Sequence, residues 1–191
     1  MFTKLNINHN FSLQSSRKLK FQHGKVIDDA WRGVSYYEAD IEMDTEIKKY
    51  IPEKYRNYFD VTLMIISGPY IPPHIDDGAV LAAMNFYMET SNACTYFHQV
   101  KDNVIPTMKT LPSTGSTGKF FAIEDLETVS QFKANRGEVY LLDVSKIHSV
   151  SIENSSDREA YCLQTNELTY TQVLEILAEG EFSQSDKRDW C

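Results

Sequence analysis

Cysteine, glycine and proline are all scarce in this chain of 191 residues, numbering three, eight and six. The three cysteines, Cys94, Cys162 and Cys191, show no CxxC spacing. An odd count without that spacing predicts free thiols and excludes a disulfide framework or a zinc site built on cysteine. Glycine and proline are too few for a fibrous or low-complexity chain. Positive charge is also short: 19 Lys and Arg stand against 27 Asp and Glu, a net charge of −8. The longest basic run, Arg17-Lys18-Leu19-Lys20, reads as a solvated turn or strand edge. Nucleic-acid affinity is carried by Lys and Arg contacts to phosphate, so no such partner is expected. No window approaches twenty apolar residues, which excludes a membrane-spanning helix. The first residues, Met1–His9, lack the apolar core of a signal peptide, so a cytoplasmic protein with no membrane partner is expected. What is present is an ordinary globular composition, 42% hydrophobic and 24% charged, long enough for one substantial core.

Neither an internal repeat nor a linker divides the chain. A single domain over 1–191 is expected, with its core at about 60–165, strands and a helix in 1–59, and a helix and tail in 166–191. Short alternating runs such as Lys18–Phe21 and Gly33–Ile41 read as strands, with turns at Gly24 and Asp28-Asp29. Thr45–Tyr58 mixes charged and apolar residues at helical spacing and must be interrupted at Pro52. Val61–Ile66 is a β-branched run, a buried strand, with breaks read at Gly68-Pro69 and Pro72-Pro73. Further strands are expected at Val80–Met88, Thr95–Val100, Phe120–Ile123, Gly137–Val144, His148–Ile152 and Arg158–Thr165. Val104–Gly118, rich in Pro, Gly, Ser and Thr, reads as a long loop and a candidate lid. A helix at Thr171–Ala178 is stopped by Gly180, and Ser183–Cys191 reads as a tail. Many short strands flanked by helices predict a mainly β fold, a jelly-roll sandwich with flanking helices.

Three features bear on chemistry. In Pro72-Pro73-His74-Ile75-Asp76-Asp77-Gly78, His74 and Asp76 sit two residues apart and project to the same side of an extended chain. The same residues also suit a plain surface turn. In the strand from His148, the alternation of His148, Val150 and Ile152 with serines points His148 inward. A histidine there is either a satisfied core residue or the third member of a set of two histidines and one carboxylate. That set leaves coordination positions open and suits non-haem iron. Arg158 opens the following strand, expected as the neighbour of the one carrying His148. If inward, its guanidinium needs a carboxylate, from the protein or from a ligand. Otherwise it is a surface hairpin arginine beside Asp157 and Glu159.

Together, a His-x-Asp pair, a distal His 72 residues after the Asp, and an Arg ten residues further on resemble the Fe(II)/2-oxoglutarate-dependent dioxygenases. The prolyl-hydroxylase-like and aspartyl/asparaginyl-hydroxylase-like branches are the nearest in pattern. The resemblance covers roughly Asp60–Thr165. It implies a double-stranded β-helix, with iron held by His74, Asp76 and His148. It further implies that Arg158 binds the far carboxylate of the cosubstrate 2-oxoglutarate. Many members carry a Ser or Thr two residues after that arginine, whereas this chain has Ala160. The strand Met84–Glu89 offers replacements, because Asn85 and Tyr87 share a face; Tyr87 is equally a plain core tyrosine. Thr95 and Phe97 are candidates for the same pocket wall. His98 and His23 read as structural or surface residues, and His9 as part of a flexible start.

The resemblance implies a hydroxylase acting with O2 on a C–H bond of an amino acid, peptidyl side chain or small molecule, with succinate and CO2 as coproducts. Asp76 favours hydroxylation over halogenation, for which related enzymes keep a small residue at that position. A non-enzymatic jelly-roll binding or structural module is the alternative. A cupin-type metal enzyme fits less well, because its cluster of three histidines and a glutamate is missing.

Overall fold

The computed structural model describes residues 1–12, 19–23, 33–76, 80–112, 117–153 and 157–180. Parts of the basic run at Arg17-Lys18, the turns at Gly24, Asp28-Asp29 and Asp77-Gly78, the turn residues 154–156 and the tail Ser183–Cys191 lie outside them. The described strands are β1 (Phe2–Asn8), β2 (Leu19–His23), β3 (Val34–Glu38), β4 (Asp60–Ile66), β5 (Tyr70–Asp76), β6 (Ala82–Glu89) and β7 (Cys94–Val100). They continue with β8 (Met108–Pro112), β9 (Thr117–Phe121), β10 (Leu126–Lys133), β11 (Glu138–Leu142), β12 (His148–Ser151) and β13 (Arg158–Thr165). Helix α1 spans Ile41–Lys48 and α2 Tyr170–Glu179, and a 3₁₀ turn covers Glu53–Tyr58.

Two antiparallel sheets face each other. One runs β1-β11-β6-β13-β4-β3-β2 and the other β10-β7-β12-β5-β9-β8. From β4 onward most connections change sheet, the rolled path of a jelly roll. The seven-stranded sheet is buried on both faces, which is why β4 and β6 are nearly unbroken apolar runs. One face packs α1 and α2 through Met43, Ile47, Val173 and Leu177 against Leu63, Met84, Phe86 and Leu163. The other meets the six-stranded sheet, with Tyr87, Ala160 and Cys162 against Ile71, Phe97, Phe132 and Val150. No helix among the described residues is long and apolar enough to cross a membrane.

Several local readings are revised. The first residues are not a flexible start: β1 pairs with β11, and the His9 amide donates to the Gly137 carbonyl. Helix α1 begins earlier than the periodicity indicates, because the Asp40 side chain accepts from the Met43 amide and caps it. Pro52 does divide the helical region, standing just before the 3₁₀ turn. Helix α2 starts at a reciprocal cap formed by Thr169 and Gln172.

Pro72-Pro73 is no break but lies within β5. Two missing amide donors are tolerated because the β5–β12 register slips between His148 and Val150, opposite the prolines. The expected loop 104–118 instead contributes β8 and β9, a hairpin that extends the six-stranded sheet by pairing β9 with β5. Its tip, 113–116, lies outside the described residues. Strand β10 was not foreseen; its ladder to β7 is bulged between Thr128 and Ser130, which blurs the period-two pattern. Finally, β13 is not the neighbour of β12. It lies between β4 and β6 in the opposite sheet, so Arg158 crosses the sandwich to bond Thr95 of β7, the strand that pairs with β12.

Candidate metal centre

His74 and His148 occupy paired positions on adjacent strands, β5 and β12. Their ring centroids are 4.3 Å apart. Asp76 follows two residues after His74, and its Oδ1 lies 3.7 Å from His74 Nε2. One ligand atom from each of His74, Asp76 and His148 lies within 4.8 Å of the other two. Phe120 stacks beside His74 at 5.7 Å and Phe97 beside His148 at 5.9 Å, walling the rings.

Hydrogen bonds fix the tautomers. His74 Nδ1 lies 2.8 Å from the Pro72 carbonyl and His148 Nδ1 2.9 Å from the Lys146 carbonyl. A carbonyl only accepts, so each Nδ1 carries a proton, and in a neutral ring Nε2 is then the electron-pair donor. This is the arrangement by which proteins orient metal-binding imidazoles. Burial lowers the pKa of His148 well below its ordinary value, with a further contribution from His74, so the ring is neutral. Burial raises the Asp76 carboxyl above its usual range and His74 partly offsets that. Two imidazole nitrogens and one carboxylate thus converge, the donor set of a divalent-cation site. A point among atoms at most 4.8 Å apart is within about 2.8 Å of each, against ~2.0–2.2 Å for nitrogen and oxygen ligation.

A second cluster lies behind the first. Arg158, 2% exposed, donates from Nη2 to Tyr87 Oη at 2.6 Å and to Thr95 Oγ1 at 3.0 Å. Its guanidinium carbon stands 4.8 Å from the Tyr87 ring centroid. No carboxylate among the described residues pairs with it, and its buried Nη1 has no hydrogen-bond partner. Asn85 donates to Tyr87 Oη at 3.4 Å, while its buried Oδ1 has no hydrogen-bond partner. Shape does not distinguish the two orientations of an amide, so a flip would aim a donor where Oδ1 lies. Arg158, Tyr87 and Asn85 are therefore brought together. Thr95, expected only in the wall, offers Arg158 a second hydroxyl acceptor beside Tyr87.

Two residues near this site escaped the sequence reading. Tyr36, on β3, is partly buried; burial first, then Asp76 and Cys162, hold its hydroxyl well above its ordinary pKa. Cys162 shares the inner face of β13 with Arg158, and burial pushes its thiol up to about 12. Nothing local in Ser35-Tyr36-Tyr37 signals that role, because β3 approaches the site only through its pairing with β4. His98 is indeed no part of the triad. It lies on the outer side of the six-stranded sheet, bonded to Ser149 and Thr128.

No family model matches the chain, and no curated protein does. Among solved structures, vicilin from Corylus avellana (hazelnut) is 12% identical, covering 79% of this chain and 30% of its own, at a TM-score of 0.37. The Escherichia coli ribosomal oxygenase YcfD is 9% identical over 100% of this chain and 49% of its own, at 0.44. YcfD solved with cobalt and 2-oxoglutarate gives 11%, 98%, 48% and 0.43. The chain therefore spans 30% to 49% of the length of the chains it matches here. Such scores leave the fold to be read from the strand order above, and the site from its own side chains.

Proposed function

We propose that this protein is an Fe(II)- and 2-oxoglutarate-dependent oxygenase that hydroxylates a C–H bond of an amino acid, a peptidyl side chain or a small molecule. The observation that carries the reading is the buried Arg158 guanidinium, its Nη1 without a hydrogen-bond partner, resting on Thr95 of β7 two residues from the Phe97 that pairs with His148 of the triad. A buried, uncompensated cation is costly, so it marks the place of an anion that arrives with the ligand. His74 Nε2, His148 Nε2 and Asp76 would hold the iron. Arg158 Nη1, helped by Tyr87, Thr95 and Asn85, would hold the far carboxylate.

Phe97 pairs with His148 across strands, and Thr95, on which Arg158 rests, lies two residues along β7. That offset is about 6.8 Å along the strand, so a diacid held at the metal by one end would lie with its other carboxylate toward Arg158. Bound iron and 2-oxoglutarate supply the oxidation of R–H by O2, giving R–OH, succinate and CO2. The chain's share is to orient the ligands through the Pro72 and Lys146 carbonyls. It also neutralises the diacid with one guanidinium and keeps water from the pocket with Phe97, Phe120 and Tyr36.

The test is an anaerobic titration of Mn(II) followed by 2-oxoglutarate. Succinate release is then screened across free amino acids and peptides. One metal per chain and preference for 2-oxoglutarate over the four-carbon and six-carbon homologues are expected. A protein that takes up neither would instead be the non-enzymatic module.

A further inference from the structure

Strand β12, which carries His148, is only four residues long. On its β5 side the ladder is irregular, because Pro72 and Pro73 lack amide donors. On its β7 side the register is unbroken, from His148↔Phe97 to Ser151↔Cys94. The position of His148 therefore depends on β7.

Two adjacent residues of β7 grip β12 from opposite faces. Inside, Phe97 stacks beside the His148 ring. Outside, the His98 amide donates to the Ile147 carbonyl at 2.9 Å, and His98 Nε2 lies 2.8 Å from Ser149 Oγ. Those contacts bracket His148 on both sides in sequence. The imidazole is itself held from the edge strand, with Nδ1 3.2 Å from Thr128 Oγ1 beside the β10 bulge. His98 is 7% exposed and Ser149 2%, so the tie is dry and its loss would strand a buried polar atom.

We infer that His98 is a positioning residue for the metal centre: through Ser149 it clamps β12 to β7 and holds His148 Nε2 in register with His74 and Asp76. The inference rests on the metal reading of that triad. His98 touches no ligand atom; it acts through the strand.

Cobalt(II) is the probe, titrated into the whole chain and followed by its visible absorption, with the unfolding midpoint of the metal-free protein recorded alongside. His98→Ala and Ser149→Ala should each weaken Co(II) binding roughly three- to tenfold, below the ~10–100-fold typical of a partner bonded directly to a ligand ring. The conservative variants separate positioning from packing. In His98→Gln the amide nitrogen falls near the place of Nε2 and restores the tie to Ser149. In His98→Asn it falls near Nδ1 and restores only the bond to Thr128. Rescue by Gln but not Asn, and non-additivity of His98→Ala with Ser149→Ala, are expected. If His98→Ala does not fold, Ser149→Ala and the Gln/Asn pair still decide. Wild-type Co(II) affinity in all variants overturns the inference alone, as does equal rescue by Gln and Asn. Absence of Co(II) binding in the wild type overturns the metal reading and this inference with it.

Discussion

Replacing Arg158 should move ligand affinity and stability in different directions. In the metal-free chain the guanidinium is buried with two hydroxyl acceptors, no carboxylate among the described residues, and Nη1 without a hydrogen-bond partner. Truncation removes those two bonds, at ~1.5–3 kcal/mol each for a charged donor, but also relieves several kcal/mol of uncompensated burial. Arg158→Met, which keeps most of the volume, should therefore leave stability within ~2 kcal/mol of wild type or raise it. With 2-oxoglutarate the balance reverses. Losing a desolvated charge pair costs ~2–5 kcal/mol, or roughly thirtyfold to several thousandfold in affinity. Arg158→Lys should recover only part, because a point charge lacks the fork. The assays are a 2-oxoglutarate titration of the Mn(II)-loaded protein and urea unfolding without ligand. Unchanged 2-oxoglutarate affinity, or destabilisation of Arg158→Met by well over ~2 kcal/mol, would show that the arginine is a structural residue and not a ligand anchor.

Four other outcomes follow from the same contacts. His148→Ala and Asp76→Ala should each abolish stoichiometric Mn(II) binding, seen as loss of the metal-dependent rise in melting temperature; at a hundredfold over Kd that rise is ~2.7 kcal/mol, roughly 5–10 °C at this size. Thr95→Val should weaken 2-oxoglutarate about threefold to thirtyfold without altering metal affinity, since it removes one hydroxyl beside Arg158 and touches no ligand atom. His9 and His98 are held below their ordinary pKa of 6.5 by burial. The unfolded chain thus binds protons first on acidification, so stability should be flat above that value and fall below it, and His9→Phe should flatten part of the fall in urea midpoints. Cys162, its thiol raised to about 12, should stay inert to a thiol reagent at mildly alkaline pH until the protein unfolds; labelling in the native state would place it at the surface.

Readings of the sequence succeeded where the signal was local. Strand β13 is bounded as its pattern indicates, and β4, β6, β7 and β11 agree within a residue or two at most ends. They failed where a partner decides. Pro72-Pro73 looks like a break because its chain forms no regular ladder alone, yet β12 and β9 flank it and make it a strand. The segment around Val104–Gly118 looks like a loop from its composition, yet β5 offers an edge on which β9 can pair. Strand β10 escaped notice because a bulge shifts its alternation midway.

The same division runs through the site. Period two alone places His74 and Asp76 on one side of an extended strand, and alternation alone turns His148 inward, whereas Arg158 could equally have been a surface hairpin residue. Those properties belong to a few consecutive residues, and the sequence by itself determines them. Which strands lie side by side depends on pairings between segments tens of residues apart, whose closure no local period records. Tertiary structure alone therefore decided that β5 and β12 pair, bringing two imidazoles to 4.3 Å. Only the packing of one sheet on the other brought Arg158 to Thr95 and left the buried guanidinium with two hydroxyl partners.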